Sequence, residues 1–240
     1  MSQLPYAQLW TQEPVKSPSG LTDGAIFRSV FGAKRQTMRI SHFMTIVSIA
    51  SVAVLSAGLA SYSAAPSRID DLCAVFDEKG GWFEDWKVAA EQAERKRGVP
   101  VPVLMATLRK ESSFQHNAKP PRQLLLGFIP WKRVSTAYGY SQALDGTWAQ
   151  YQKETGNTSA KRNNFADAVD FVGWYHAKTA DLYGVAKDDT YNLYLAYYFG
   201  WAGYENGAWK EKAGLQRYAQ ETEQTARDYA RQLRKCDQAA

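Results

Sequence analysis

Glu111 is the residue whose setting in the chain most demands a chemical explanation. Leu104, Leu108 and Glu111 recur at spacings of four and three, so in a helix the carboxyl points where two leucines point. A carboxylate on an apolar stripe is costly unless it is paired or protonated, and a place in the last helical turn adds the negative end of the macrodipole. Both effects raise its pKa. A raised pKa is the condition a general acid requires near neutral pH. The competing reading is a structural ion pair with Arg109, Lys110 or a remote base, and spacing alone leaves both open.

Other chemistries find fewer residues to use. His116 and His176 are the only histidines after residue 67, and no carboxylate stands beside them at metal-ligand spacing, so no metal site is expected. No Gly-rich phosphate loop and no G-x-S-x-G elbow is present, which removes nucleotide cofactors and serine-hydrolase chemistry. No cofactor is implied. A two-carboxylate glycosidase needs a second acid at a defined distance. Asp145 is the nearest candidate, and it lacks the local signs that distinguish Glu111.

The elements that must position these groups read as helices. Residues 84–97 form an amphipathic pattern stopped by Gly98 and Pro100, and a second helix starts at Val99-Pro100-Val101-Pro102-Val103, where a first turn tolerates proline. Further helices are predicted over 141–155, 165–183 and 190–199. A last one runs over 213–235, where Leu215, Tyr218, Thr222, Ala226, Tyr229 and Leu233 keep a helical stripe. Runs of alternating β-branched residues are few and no internal repeat is present, so the expected class is mainly α. The 240 residues, 45% apolar and 22% charged, suit one core and exclude wholesale disorder, collagen-like repeats and a polytopic membrane protein.

The net charge of +5 raises the question of nucleic acid. Lys16, Arg28, Lys34, Arg35 and Arg39 face only Glu13 and Asp23 before residue 68, so more than half of the excess lies in that leader. The remainder is nearly balanced and carries no dense basic stripe, and nucleic acid is not an expected partner. The basic cluster precedes an apolar stretch, Phe43 to Ala60, that reads as an export signal. It is long for a cleaved signal and long enough to span a bilayer, which takes about 17–25 residues. Small residues at Ser61 and Ser63 permit cleavage before Ala64, and Met38 is an alternative start. Tyr62 stands where a lipid-anchored precursor would need cysteine. The expected organisation is an extension over 1–37, a signal peptide or inner-membrane anchor over 38–67, and an exported domain over 68–240. Cys73 and Cys236, the only cysteines, flank that domain and are expected to pair in an oxidising compartment.

Three segments now change the weight given to Glu111. Leu-Arg-Lys-Glu-Ser-Ser-Phe (108–114), Tyr-Gly-Tyr-Ser-Gln-Ala-Leu-Asp-Gly-Thr-Trp (138–148) and Leu-Ala-Tyr-Tyr-Phe-Gly-Trp-Ala-Gly-Tyr (195–204) occur in that order. They resemble the three sequence blocks of the soluble-lytic-transglycosylase family. In its first block, E-S-x-F/W, the glutamate is the catalytic acid, and it falls on Glu111, followed by Ser112 and Phe114. The second, G-L-M-Q-x-M-P-x-T-A, is matched at Gly139, Gln142 and Thr147, and the third, A-Y-N-A-G-x-G, at Ala196, Tyr197 and Gly200. Tyr140 and Ser141 replace Leu-Met, Asp145 replaces Pro, and Tyr198-Phe199 replace Asn-Ala.

The resemblance implies a lysozyme-like fold of the goose-lysozyme type, behind the signal or anchor. It also implies cleavage, in the bacterial periplasm, of the β-1,4 bond between N-acetylmuramic acid and N-acetylglucosamine in peptidoglycan. One carboxylate suffices there: the acid protonates the leaving oxygen and the muramic 6-hydroxyl attacks its own C1. A hydrolytic lysozyme or chitinase, and a non-catalytic wall-binding protein, remain as alternatives. Ser112, Tyr140, Ser141, Gln142, Tyr197, Tyr198 and Gly200 are the implied substrate-side residues. Gln142 and Tyr197 have hydrogen-bonding groups suited to a sugar. Rings at Tyr138, Tyr140, Trp148, Tyr198, Phe199, Trp201 and Tyr204 are candidates for stacking on pyranose faces, with core packing as the other reading. The segment 115–138 is longer than the family pattern leads one to expect. Its apolar run Leu-Leu-Leu-Gly-Phe-Ile-Pro-Trp (124–131), flanked by Arg122, Lys132 and Arg133, reads as a loop packed on its own domain, with a cleft wall, a partner contact or a membrane-facing loop as alternatives.

Overall fold

The computed structural model describes residues 64–81, 84–125 and 129–239. The expected export segment, Phe43 to Ala60, lies outside these residues. Among the described residues no helix is long and apolar enough to cross a membrane.

The described chain runs α1 (Leu72–Glu78), α2 (Trp86–Arg97), α3 (Val101–Ser112), β1 (Arg122–Leu125), β2 (Ile129–Arg133), α4 (Asp145–Thr155), α5 (Phe165–Tyr183), α6 (Thr190–Glu205) and α7 (Ala213–Ala239). Short polar side chains start most of the helices. Asp71, Asp85, Asn164 and Asp189 each accept a hydrogen bond from a backbone N–H in the first turn of α1, α2, α5 and α6, satisfying a donor that has no intrahelical partner. Pro100 and Pro102 open α3, where a missing N–H costs nothing.

Helix α3 is the axle of the fold. Val103, Leu104, Met105, Ala106, Thr107 and Leu108 are all buried, so nearly every face of it is covered. Helices α2, α5 and α7 pack around it. The α2–α5 contact is fastened at Asp170, which receives both forks of Arg97 at 2.9 Å, Lys96 at 3.0 Å and the Tyr151 hydroxyl at 2.7 Å. Burial alone would raise the Asp170 pKa, but the Arg97, Tyr151 and Lys96 hydrogen bonds outweigh it and hold the carboxyl below the usual range.

The C-terminal helix is stapled to the start of the domain. Cys73 and Cys236 are joined across 163 residues with Cα atoms 6.3 Å apart. Gln232 accepts from the Leu72 N–H at 2.8 Å and donates to the Asp70 carbonyl at 2.9 Å, and the Tyr229 hydroxyl donates to the Ile69 carbonyl.

Three elements depart from the sequence reading. Helix α1 has no counterpart in it, since seven residues are too few to show a periodic stripe. The 115–138 segment holds a pair of antiparallel strands rather than a plain loop, with Leu124 opposite Pro130 and Leu125 opposite Ile129. Its strands carry consecutive apolar residues and a proline, so no period-2 pattern announces them. The expected helix over 141–155 starts later, at Asp145, because Tyr138 and Ala143 form an isolated bridge that encloses a turn.

Candidate active site

Glu111 lies in the last turn of α3, where the axle helix emerges from the core. The chain leaves this helix through a strained turn: Ser113 (φ 51°) and Phe114 (φ 60°) both occupy the left-handed region without being glycine. Phe114 is 1% exposed and packs against Trp86, and this anchoring supplies the energy that holds the sharp exit. The third non-glycine residue with positive φ is Gln142, at 50°, so all three such residues among those described belong to the two loops beside Glu111.

The carboxyl itself is half-buried. Its Oε1 is shielded from solvent and has no hydrogen-bond partner. Desolvation raises the Glu111 pKa to about 7, against a hydrogen bond from the Tyr194 hydroxyl and the charge of Lys110, both of which lower it. Its basic neighbours are engaged by other acids. Arg109 pairs with Asp70, while Lys110 binds Glu221 at 2.7 Å and lies over the Tyr218 ring at 4.3 Å. The ion-pair reading of Glu111 therefore loses its two local candidates to α7 and to the segment before α1.

Helix α6 faces the acid with tyrosines. Tyr194, Tyr197 and Tyr198 fall at i, i+3 and i+4, hence on one face. Tyr197 is raised well above the ordinary tyrosine value by burial and then by the Glu111 charge, and Tyr198 is pushed to about 12 by the same two causes followed by Tyr218. Both remain neutral hydroxyls. Gly200 then breaks the helix with φ 71° and ψ 164°, a conformation that essentially only glycine adopts. Beyond the kink, Trp201 stacks on Tyr175 at 4.6 Å and Tyr204 on Trp209 at 6.1 Å.

The turn carrying Gln142 is built around Arg162. Gly139 has φ +76°, and a Cβ there would lie 2.1 Å from the Arg162 carbonyl oxygen, so no other residue fits. Arg162 donates to the carbonyls of Thr136 and Ala143 at 2.9 Å and pairs with Asp145 at 2.7 Å. Gln142 directs its Nε2 at the carbonyls of Ala118 (3.0 Å) and Gly139 (2.8 Å), which ties the 115–138 segment to the turn. Tyr197 donates to the Ser141 carbonyl at 2.5 Å. One chain of bonds thus links Ala118, Gln142, Ser141 and Tyr197.

A family model described as the transglycosylase SLT domain matches residues 44–236, most of the chain. The chain belongs to that family. No curated protein matches it. The mainly helical, lysozyme-like fold anticipated from the three blocks is therefore the fold of a transglycosylase SLT domain, and the substrate class of that family is peptidoglycan.

Several residues anticipated as substrate contacts have packing roles in this SLT domain. Tyr140 is 5% exposed and meets Trp86 and Phe165 edge-on, and Trp148 packs on Tyr151 and Phe171. Both rings are core. Ser112 is buried with its hydroxyl donating to the Leu108 carbonyl, and Ser141 is fully buried with an unpartnered Oγ. Asp145, the other block-borne carboxylate, is exposed and held by Arg162. The sequence reading missed Tyr194, although its spacing to Tyr197 was visible. It also missed Arg162, for which no local pattern exists.

Proposed function

We propose that this protein is a peptidoglycan lytic transglycosylase with Glu111 as its only acid and base. The protonated carboxyl gives its proton to the glycosidic oxygen as the bond from that oxygen to C1 of N-acetylmuramic acid breaks. The carboxylate then takes the proton of the muramic 6-hydroxyl while its oxygen bonds to C1. Glu111 ends protonated, no water is consumed, and the product carries a 1,6-anhydromuramyl end.

The single observation that carries this reading is the state of Glu111. It is a carboxyl with a pKa near 7, unpaired at Oε1 and facing neutral tyrosine hydroxyls, so both protonation states are accessible at neutral pH. Asp145 is tied to Arg162, which argues against a two-carboxylate mechanism. Tyr197 and Tyr198 are the substrate-side residues we assign beside the acid. Gln142 and Ser141 shape the loop they bond to, and Gly200 turns the chain after the tyrosine face.

The same reading makes residues 38–67 a signal peptide or inner-membrane anchor and puts residues 68–240 in the bacterial periplasm. Digestion of purified sacculi, with muropeptide ends identified by mass spectrometry, tests the reaction. Anhydromuramyl ends are the expected product. Reducing ends alone would establish a hydrolytic lysozyme, and intact sacculi of every type a wall-binding protein. Thiol labelling of protein taken from cells tests the compartment, with both cysteines blocked until a reductant is added.

A further inference from the structure

The third sequence block begins at Leu195, so the family resemblance says nothing of Tyr194. This residue is 2% exposed, one turn ahead of Tyr197 on the face of α6 that meets the acid. The three hydroxyls on that face are not equivalent. Tyr197 spends its proton on the Ser141 carbonyl at 2.5 Å. Tyr198 feels the Glu111 charge, which helps to raise its own pKa. Tyr194 reaches the Glu111 carboxyl with a hydrogen bond, and Oε1 has no partner.

We propose that Tyr194 is a positioning residue for Glu111: its hydroxyl donates to one carboxyl oxygen, Oε2, and fixes the plane of the group. A hydrogen bond from a buried donor favours the carboxylate, and it sets the orientation from which the carboxyl gives and takes its proton. The tyrosine is itself buried between α6 and α7 in a cluster with Leu195, Tyr198 and Ala219, so its ring cannot swing away. Rigid support of this kind holds an acid in one orientation between turnovers.

The proposal rests on the reading of Glu111 as the acid, and the test separates the two. In the full-length protein, the carbon-13 signal of the Glu111 carboxyl is titrated in wild type, in Tyr194→Phe and with 3-fluorotyrosine at position 194. The phenylalanine variant keeps the ring and loses the donor, so the midpoint should rise from near 7 by about one pH unit. The more acidic fluorophenol is a stronger donor of nearly equal size, so the midpoint should fall. The alkaline limb of kcat on sacculi should move in the same two directions, with KM nearly unchanged. A merely structural tyrosine would lower the melting temperature and leave both midpoints in place, which overturns the proposal. If Tyr194→Phe does not fold, the fluorotyrosine protein alone decides, and an unshifted midpoint refutes the bond. Full turnover in Glu111→Gln would end the acid reading, while the titration would still report whether Tyr194 holds the carboxyl.

Discussion

The Tyr197 hydroxyl donates to the Ser141 carbonyl at 2.5 Å, and this bond joins the turn that carries Gln142 to the helix face beside Glu111. The two loops flanking the acid are thereby held to a helix on the far side of it. Because burial and the Glu111 charge keep Tyr197 neutral, the donor persists across the working pH range.

Tyr197→Phe should lower stability by about 1 kcal/mol, the typical worth of one hydrogen bond. It should cut kcat on sacculi by more than that loss implies, because Ser141 and Gln142 lose their tie to α6. Thermal melts and turnover on the same preparation check this. Wild-type turnover in the variant would remove the bond from the catalytic account.

Glu111→Gln keeps the volume and deletes the transferable proton, so activity should vanish while folding survives. The stability change should depend on pH. The native carboxyl holds its proton up to about 7, whereas the unfolded one loses it near 4.5, so ionisation at high pH destabilises the wild type. The variant should therefore gain on the order of 3 kcal/mol at pH 8 and nothing near pH 4. Wild-type cleavage should fall as pH rises through about 7, as the acid loses its proton. Melting curves at the two pH values, read beside a pH–rate profile, decide both points.

His176 should tilt stability the other way. It is fully buried, its Nε2 sits 3.0 Å from Thr107 Oγ1, and its Nδ1 has no partner; desolvation depresses its pKa to about 3. The unfolded chain takes up that proton near 6.5 while the native one refuses it, so stability should fall as pH drops below 6.5 towards 3. In the Glu111→Gln background, where the opposing slope is gone, His176→Gln should flatten the dependence between about pH 6.5 and 4. Urea denaturation across that range measures the slope.

Gly200→Ala should cost about 1–3 kcal/mol although nothing beyond its own stretch of backbone lies within 4 Å of the added methyl. The penalty comes from the backbone at φ 71° and ψ 164° alone. A melting temperature equal to wild type would show that α6 can run straight through this position.

Replacing both Cys73 and Cys236 with serine should destabilise the domain by about 3–5 kcal/mol, since the bridge closes a loop of 163 residues. Activity at low temperature should survive, because α7 still holds α3 through Lys110–Glu221 and Arg109 over the Tyr229 ring. Chemical denaturation of the double variant against the oxidised protein gives the difference.

Much of this protein was legible in its residues. Helix α5 spans 165–183 as expected, α3 begins at the prolines, and α7 begins where the stripe from Leu215 to Leu233 placed it. Glu111 announced itself through Leu104 and Leu108, because a helical repeat fixes which side chains share a face. Local spacing could not say what lies opposite that face. Whether Glu111 is paired depended on Arg109 meeting Asp70 and Lys110 meeting Glu221, contacts that join residues 39 and 111 positions apart in the chain. Tyr140 and Trp148 likewise read as sugar-stacking rings or core, and only the arrival of Trp86, Phe165 and Phe171 from other helices made them core. Periodicity along one segment determines a face. The partner of that face, and with it the dielectric and the proton affinity of the acid, exists only once distant helices have packed.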